Sequence, residues 1–513
     1  MSQEIELKLA FPASERDRVI RLLQTRGERF KPTKELFNTY YDTPDLVLGK
    51  AKVALRTRKV GEEWLQTVKC AAVSVGGLSS RPEWEQAYSG RFDFSAVAVE
   101  PRALLEQHRE AIVPLFSTNF YRETFLLQPA HGVRIQAMVD LGTIEAAGLS
   151  EDICELELEL ETGEAEHLWS LAIELARELP LLPYDPSKAA RGYRLFQGKI
   201  EEPFRSRPSG ILPGMGPDKG FRILADELLQ AWQANVWGVL TQSDPEFIHQ
   251  LRVSLRRLRS LIRLFERGLP SDFVPTWSKE LGETARLLGR SRDLKVLQDQ
   301  VLGPIQTETS EACLEALLGY CERAAGTELE KTRASLWEAR CGEQLLRFAQ
   351  ALHALPESSS GLPLNELART GLRDLWKRAG KAFETALEAP SDEALHRLRI
   401  RLKGLRYGLE FFAPLFSGKK RFGDYQRALS SLQERLGALN DLNMAVRTAQ
   451  DWARDEPSLS EGSIYLQGWR ACWIKERTPS LLGECAQFLH MEPPWRKLSA
   501  KACEGMNRGD GDA

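Results

Sequence analysis

The first 200 residues alternate apolar and ionic positions with the two-residue period of β-strands. At the amino terminus, Glu4, Glu6 and Lys8 are separated by single aliphatic residues, and residues 155–159 read Glu-Leu-Glu-Leu-Glu. Because residues two apart in an extended strand share a face, each string puts its charges on one side and its aliphatic side chains on the other. Carboxylates crowded in this way repel one another unless water or cations separate them, and hard divalent cations prefer such oxygen ligands.

Four further strings show the same alternation, at residues 54–58, 66–69, 81–85 and 133–140. For one strand alone, a solvated face explains the pattern equally well. A sandwich with its ionic faces in water would fit the whole set, and so would a closed barrel with a polar lumen. In a lumen, carboxylates would hold metal ions while Arg and Lys bind phosphate groups. The repetition therefore favours an ionic interior suited to a metal-bound polyanion.

The chain changes character near residue 200. Residues 201–217 are rich in Pro and Gly and are predicted to be a linker. Beyond them, apolar residues recur at spacings of three and four, which predicts a helical domain over residues 218–505. We expect a β-rich domain over residues 1–200, this helical domain, and a flexible tail over residues 506–513.

The helical part repeats itself at an offset of 147 residues, which predicts two halves, about 218–360 and 361–505, related by a pseudo-twofold axis. Each half carries a His and three cations at helical spacing, on one stripe of a helix. A solvated cationic face is the common alternative for a single stripe. Two facing stripes would instead form a positive groove for a long polyanion. The stripes are His249, Arg252, Arg256 and Arg259 in the first half, and His396, Arg399, Lys403 and Arg406 in the second.

A weaker echo follows each stripe, with residues 288–294 matching residues 436–442. The second stripe departs from the first, because Gly404 stands where the first half has Arg257, and Glu410 where it has Arg263. The cationic stripe of the second half is therefore predicted to be shorter.

Composition narrows the possible partners. The chain of 513 residues has 69 Lys plus Arg against 72 Asp plus Glu, and a formal net charge of −3 argues against a general nucleic-acid binder. No apolar run approaches the roughly 18 residues of a membrane span, and the amino terminus does not resemble a signal peptide. The eight cysteines include no CxxC pair, so reduced thiols are expected. We expect a cytoplasmic protein that binds neither nucleic acid nor membrane.

The β-rich part resembles the CYTH domain, the triphosphate tunnel metalloenzyme family. The resemblance rests on ExExK at residues 4–8 and on a set of strings in the family's order. These strings are YYDTPD at 40–45, ALRTR at 54–58, QTVK at 66–69, RPEWE at 81–85, FYRE at 120–123, VDLG at 139–142, ICELELEL at 153–160 and SKAARGY at 187–193. Within the family, the segments GGLSSRPEWE, PLFSTNFYRE and SKAARGY are most similar to bacterial inorganic triphosphatases that carry a CHAD domain behind the CYTH domain.

This resemblance implies an α+β multidomain protein, with an antiparallel β tunnel barrel of charged lumen followed by an all-α, pseudo-twofold helical bundle domain. It also implies a site that uses one or two Mg²⁺ or Mn²⁺ ions. The expected metal ligands are Glu4, Glu6, Asp140, Glu155, Glu157 and Glu159. The expected phosphate-binding residues are Lys8, Arg56, Arg58, Lys69, Arg81, Arg122, Lys188 and Arg191. Among these residues, we expect Glu4, Glu6, Lys8, Arg56, Arg58, Lys69 and Lys188 to take part in catalysis, the role of Lys188 resting on the resemblance alone.

The helical part resembles the CHAD domain over roughly residues 218–505, and this association implies inorganic polyphosphate as its ligand. The combined prediction is hydrolysis of inorganic triphosphate to diphosphate and phosphate in the barrel, with polyphosphate binding by the helices. Two alternatives remain open. One is an enzyme acting on an organic triphosphate, as an adenylate cyclase or a thiamine triphosphatase does. The other is a non-catalytic polyphosphate scaffold.

Several nearby residues have simpler roles as alternatives. Glu83 and Glu85 are expected to balance arginines of the lumen. Tyr40 is expected to be a packing residue, although a tyrosine hydroxyl could order a phosphate. Asp42 is expected to begin the turn Asp-Thr-Pro. His249 and His396 could each be a helix-packing histidine.

Overall fold

The computed structural model describes residues 2–70, 73–207, 210–338, 341–356, 363–416 and 419–498, with no account of the side chains of residues 2, 3, 73–75, 81, 419 and 497. The chain divides into two compact units. The first comprises residues 1–202 together with residues 337–354, and the second comprises residues 203–336 and 355–513. A segment far along the chain therefore folds with the amino-terminal domain.

The first unit is built on antiparallel strands. They are β1 Ser2–Ala10, β2 Gly27–Asp42, β3 Val53–Val60, β4 Glu63–Cys70, β5 Val73–Val75, β6 Leu78–Ala87, β7 Val113–Leu127, β8 Arg134–Ala146, β9 Leu149–Thr162 and β10 Leu182–Pro183. The strand order is β10-β1-β9-β8-β7-β2-β3-β4-β6-β5, and β1 also pairs with β6. Because β1 pairs with both β9 and β6, eight strands close into a ring. The predicted antiparallel barrel is confirmed.

The aliphatic faces of the strands point out of the barrel and are covered by helices. Leu7 on β1 and Leu156 and Leu158 on β9 are fully buried. They lie on strands that pack against α4, Ala165–Glu178, whose own apolar face includes Leu168. Three shorter helices complete this layer: α1 Arg16–Arg26, α2 Val47–Lys50 and α3 Val99–Gln107. The apolar core therefore lies outside the ring, and the ionic faces line its interior.

Helix α5, Lys188–Phe196, packs against β7, β8 and β9. The Ser187 hydroxyl caps its first turn by accepting a hydrogen bond from the Ala190 N–H at 3.1 Å. Gly192 lies so close to Phe116 that a Cβ placed there would meet the ring at 2.0 Å. The following residue, Tyr193, packs edge-on against Phe116 at 5.2 Å between ring centroids. The absence of a side chain at position 192 therefore allows α5 to lie directly on the strands.

Asp42 begins the turn after β2, as predicted. Its buried carboxylate accepts hydrogen bonds from the Thr43, Leu48 and Gly49 N–H groups at 2.6–2.8 Å. It also accepts one from the Tyr193 hydroxyl at 3.0 Å. This carboxylate therefore fixes the short helix α2 and holds α5 at its far end.

The second unit is helical, as the apolar spacing predicted. Its helices are α6 Pro217–Thr241, α7 Glu246–Leu264, α8 Phe273–Leu287, α9 Gly289–Val296, α10 Gly303–Thr309, α11 Ala312–Glu338, α13 Leu364–Glu388, α14 Asp392–Phe411, α15 Lys419–Asp455 and α16 Ser460–His490, and a π-helix, Leu297–Leu302, joins α9 to α10. Helix α12, Cys341–His353, belongs to the first unit. No helix in the described ranges is both long and apolar enough to cross a membrane.

The two predicted halves build similar helix pairs. In the first, α6 packs against α7, and in the second, α13 packs against α14; α7 and α14 also contact each other. Beyond these pairs the halves differ, because the second echo lies in the eight-residue α9 in one half and inside the 37-residue α15 in the other.

Replacing Gly192 with alanine should loosen α5. The new Cβ would meet Phe116 at 2.0 Å, and overpacking of this kind costs about 1–3 kcal/mol. Hydrogen–deuterium exchange of residues 188–196 should therefore become faster. The matched control is Gly380→Ala in α13, where nothing lies within 4 Å of the added Cβ. Unchanged exchange of α5 in Gly192→Ala would contradict the packing described above.

Candidate functional site

The barrel encloses a cavity of about 1060 Å³. Ten of the predicted barrel residues line it: Glu4, Glu6, Lys8, Arg56, Arg58, Lys69, Arg122, Glu157, Glu159 and Lys188. Asp140, Glu155 and Arg191 are buried behind this lining. The side chain of Arg81 lies outside the described residues, although its backbone pairs with Glu4 between β6 and β1.

Lys188 is the centre of a buried ionic cluster. Its ammonium lies 2.8 Å from Asp140, 2.7 Å from Glu155 and 2.9 Å from Glu157. Burial opposes the charge of this lysine, but the three carboxylates raise its pKa well above the ordinary value. Lys188 is therefore held as a cation in the lining of the cavity.

Arg122 shares the same carboxylates from the neighbouring strand β7. Its guanidinium lies 2.6 Å from both Asp140 and Glu157. Burial opposes the charge of Glu157, but Lys188, Arg122 and Lys8 together hold its pKa well below the usual range. Asp140 and Glu155 therefore serve as counter-ions for Lys188, Arg122 and Arg191. Of the three carboxylates Asp140, Glu155 and Glu157, only Glu157 also lines the cavity.

Glu4, Glu6 and Glu159 form a second, acidic group on adjacent strands, where Glu6 stands opposite Glu159 in register. Burial and the charges of Glu4 and Glu6 raise the pKa of Glu159 to about 7. The Ser79 hydroxyl donates to Glu6 at 3.2 Å, and Lys69 lies 3.0 Å from Glu4. Within the described ranges, no three acidic, His or Cys side chains are grouped closely enough to hold a metal ion as they stand.

Cations dominate the wall formed by β3 and β4. The Arg58 guanidinium donates to Asn38 at 2.8 Å, and burial together with Arg56 and Arg122 lowers its pKa to about 9. Lys69 lies 2.9 Å and Arg56 3.7 Å from Glu83, which therefore balances lumen cations as predicted. This wall carries positive charge that is only partly compensated.

Tyr40 does more than pack. Its ring stacks on Phe116 at 4.7 Å, as a packing residue would. Burial alone would raise the pKa of its hydroxyl, but a hydrogen bond and the charge of Arg56, with Arg58 and Lys69 nearby, lower it. The hydroxyl therefore belongs to the cationic wall.

A second cavity, of about 890 Å³, lies within the helical unit. Seven of the eight predicted stripe residues line it, from both halves: His249, Arg252, Arg256, His396, Arg399, Lys403 and Arg406. Arg259 does not; its guanidinium lies 3.4 Å from the position of a Cβ on Gly282 of α8. Burial with Arg256 and Arg399 lowers the pKa of Lys403 to about 6, which shows how closely the cations are crowded.

The second echo supplies carboxylates to this cleft. Asp293 lies 4.0 Å from Arg252, and Asp441 lies 3.9 Å from Arg399, at equivalent places of the two halves. Asn440, beside Asp441, lies 2.6 Å from His396. Glu410, the departure noted in the second stripe, lies 3.7 Å from Arg257 of the first half. The acidic residue that replaces a cation in the second half therefore forms an ion pair with an arginine of the first half.

Comparison with known proteins agrees with this division. Residues 2–193 match the CYTH domain model, and residues 223–450 match the CHAD domain model. The chain carries a CYTH domain followed by a CHAD domain.

Relatives cover different parts of the chain. The CYTH region is 34% identical over 196 residues to an inorganic triphosphatase of Haemophilus influenzae, a match that spans 38% of this chain and 55% of that protein. An uncharacterized protein of Mycobacterium tuberculosis is 26% identical over 406 residues, which is 73% of this chain and 75% of that protein. The chain thus spans about half the length of the first relative.

The CHAD domain also has a structural relative. A crystal structure of the CHAD domain from the plant Ricinus communis is 26% identical, with a TM-score of 0.50, and the match covers 57% of this chain and 99% of that chain. This likeness supports the helical fold.

Sequence reasoning missed several residues of both cavities. Lys31 and Lys34 line the CYTH cavity, where the Lys31 ammonium lies 3.1 Å from the side chain of Gln136, a residue of the alternating string at 133–140. Strand β2 has register shifts on both sides of Lys31, and such irregularities change the face that a residue presents. In the CHAD cavity, Arg292 was missed. Arg292 lies in the repeated segment at residues 288–294, but nothing in that segment indicated which way its side chain would point.

Replacing Lys188 with methionine should destabilise the CYTH domain and reverse part of its pH dependence. In the wild type, the lowered pKa values of Glu155 and Glu157 contribute stability that is present above their ordinary value of 4.5 and is lost as the pH falls. Removing one partner from a buried ion cluster costs about 3–5 kcal/mol. Without Lys188 the carboxylates should favour the protonated form, so the stability of the variant should rise more than that of the wild type as the pH falls from 8 to 5.

Chemical denaturation at several pH values measures this difference. Lys199→Met, an exposed site outside the cluster, is the control. A Lys188→Met profile parallel to that of the wild type would show that Lys188 is not the counter-ion of this cluster.

Proposed function

We propose that the CYTH domain hydrolyses inorganic triphosphate to diphosphate and phosphate, with one or two Mg²⁺ or Mn²⁺ ions. One observation carries the proposal: a single cavity has carboxylates on β1 and β9 and a cationic wall on β3 and β4. In the ring of eight strands, β9 and β3 are four strands apart in either direction, so Glu157 and Glu159 face Arg56 and Arg58 across the lumen.

This arrangement suits the chemistry of a phosphate chain. Tripolyphosphate is highly charged, and its anionic oxygens shield the terminal phosphorus from a nucleophile. Catalysis therefore depends mainly on neutralising charge and positioning the chain. Arg56, Arg58, Lys69 and Arg122 can bind the phosphates, and Lys188 offers a cation fixed in place by three carboxylates. The cationic wall supplies binding and orientation.

The acidic group fits a divalent ion. Burial and the charges of Glu4 and Glu6 raise the pKa of Glu159 to about 7 although Lys69 and Arg122 oppose the rise, so negative charge dominates in this group. Oxygen ligands of this kind are those that Mg²⁺ and Mn²⁺ prefer. We propose Glu4, Glu6, Glu157 and Glu159 as the residues that would hold the metal, drawn together by it. A metal bound there would neutralise phosphate oxygens and lower the pKa of the attacking water.

The comparison points to the same substrate class. The Haemophilus influenzae protein that is similar over the CYTH region is named an inorganic triphosphatase. Two aromatic rings of the lining are already engaged: Phe120 lies beneath both Lys188 and Arg122, and Tyr40 stacks on Phe116. These contacts favour an inorganic chain over a triphosphate with an organic group.

Glu159→Gln tests the activity while leaving the three carboxylates around Lys188 in place. Because the fold disfavours the charge of Glu159, the neutral variant should be at least as stable as the wild type at pH 8. Phosphate release from tripolyphosphate should nevertheless fall beyond the roughly 10–100-fold loss seen when an outer partner of a metal ligand is removed, and more metal should be needed for half-maximal rate. The control is Glu62→Gln, an exposed residue of the β3–β4 turn.

The substrates should be tripolyphosphate, ATP, thiamine triphosphate and long-chain polyphosphate, each with Mg²⁺ or Mn²⁺. Release from tripolyphosphate that far exceeds release from the organic substrates supports the proposal. Wild-type protein that binds these chains but releases nothing would instead indicate a scaffold.

We further propose that the CHAD cleft binds inorganic polyphosphate. Cations from both halves of the repeat share one cavity there, including Arg256 and Arg399. A neighbouring phosphate chain would relieve their mutual repulsion, and Arg offers planar donor pairs to phosphate oxygens.

Polyphosphate binding to this cleft should take up a proton. Burial and the cations Arg256, Arg399 and Arg406, opposed by Asp441, set the pKa of Lys403 at about 6, so Lys403 is neutral at pH 8 until an anion arrives. Bound phosphate favours the charged form, so affinity should weaken as the pH rises from 6 to 9. Calorimetry at pH 8 in buffers of different ionisation enthalpy measures the uptake, in the Glu159→Gln background to prevent hydrolysis.

Lys403→Met should abolish most of this proton uptake, whereas Lys377→Met, at an exposed position of α13, should preserve it. Binding that is independent of pH in the wild type would contradict this account of the cleft.

A further inference from the structure

Helix α12 lies between α11 and α13 in sequence, inside the region that matches the CHAD model, yet it folds with the barrel unit. Its packing partners are α4 and strand β10. The buried residues of α12 are almost all apolar and include Leu345, Leu346 and Phe348. The CYTH unit is therefore completed by a helix that the amino-terminal 200 residues do not contain.

The docking is close and specific. A Cβ at Gly342 would lie 1.6 Å from the carbonyl oxygen of Leu181, so the α12 backbone rests directly on the chain entering β10. At the middle of the helix, Ala349 meets Gly76, where a Cβ would come within 2.8 Å of the alanine. Near the start of α12, Glu343 lies 2.9 Å from Arg177 of α4. Helix α12 thus touches two separate loops of the barrel unit.

Both loops hold the strand that carries the acidic group. The Gly77 carbonyl accepts a hydrogen bond from the Lys8 N–H at 2.9 Å, and the Lys8 carbonyl accepts one from the Tyr184 N–H at 2.9 Å. The Gly77 N–H donates to the Asp185 carboxylate at 2.8 Å, which ties the two loops together. Lys188 follows Asp185 by three residues. The loops under α12 therefore place Lys8 and lead directly to Lys188.

We infer that α12 is a positioning element of the triphosphate site: by clamping the loops at Gly76–Gly77 and Leu181–Asp185, it sets the positions of Lys8 and Lys188 in the cavity. The inference rests on the proposed triphosphatase function. It assigns to a segment within the CHAD-matching region a part in the activity of the CYTH domain.

Gly342→Ala in the full-length protein tests the inference. The added Cβ cannot coexist with the Leu181 carbonyl, so α12 must shift. Misplacement of catalytic groups by about 1 Å can cost on the order of 100-fold in rate, so kcat for phosphate release from tripolyphosphate should fall at least about tenfold. Affinity of the CHAD cleft for polyphosphate should not change. Gly326→Ala, at an exposed position of α11 with nothing within 4 Å, is the matched control and should keep wild-type activity.

A second variant avoids any collision. Glu343→Lys should weaken the attachment of α12 to Arg177 and lower kcat in the same direction, and the charge swap Glu343→Lys with Arg177→Glu should restore it. Combining Gly342→Ala with Asp185→Asn should give less than the sum of the two losses in activation free energy, because both act through the same loop. A helix that only stabilised the fold would leave kcat unchanged well below the unfolding temperature.

The outcomes separate the two hypotheses. Wild-type protein without phosphate release would overturn the proposed function itself. An active wild type whose kcat is unaffected by Gly342→Ala and by Glu343→Lys would overturn the role of α12 and leave the proposed function standing.

Discussion

The cluster around Lys188 is the constraint on which the barrel site depends. Three carboxylates on adjacent strands, Asp140, Glu155 and Glu157, can remain ionised in a buried place only if cations meet them there. Lys188 does so from α5, and Arg122 from β7. Because Lys188 must reach this point, α5 has to lie flat on the strands, and the bare backbone of Gly192 and the anchor between Tyr193 and Asp42 allow it. The position of α5 on the strands follows from this single requirement of charge balance.

Alternation in the sequence predicted which face of each strand is ionic, but not how deep each residue lies. Glu155, Glu157 and Glu159 share one face of β9, and only the last two line the cavity, while Glu155 is buried beneath α5. The two-residue alternation shows on which side of a strand a residue lies, but it does not show where that residue lies along the barrel axis. No alternating string was recognised in β2, where register shifts on both sides of Lys31 change the face that a residue presents, and Lys31 was missed. Lys188 could be named only through family resemblance, since no periodic pattern covers its loop.

In the helical unit, helical spacing was a better guide. Seven of the eight stripe residues meet in one cleft, because residues on one stripe of α7 or α14 share a direction whatever the rest of the fold does. Arg259 fails because the last turn of its stripe faces α8. The placement of α12 could not have been predicted, since its amphipathic pattern fits any apolar partner. Only tertiary structure chooses between a helix of the bundle and one on the barrel.

The ion pairs of the barrel cavity explain how one site can accept both a metal and a phosphate chain. The Lys69 ammonium pairs with the carboxylates of both Glu4 and Glu83, so these three charges offset one another before any ligand binds. A metal that binds Glu4 would free Lys69 to bind phosphate, and a phosphate that binds Lys69 would free Glu4 to bind the metal. The binding of either ligand would therefore favour the binding of the other. Such exchange of partners avoids the cost of keeping empty charged sites in a buried lumen. It also means that metal and phosphate should bind more tightly together than apart, by the reciprocity that links any two coupled sites.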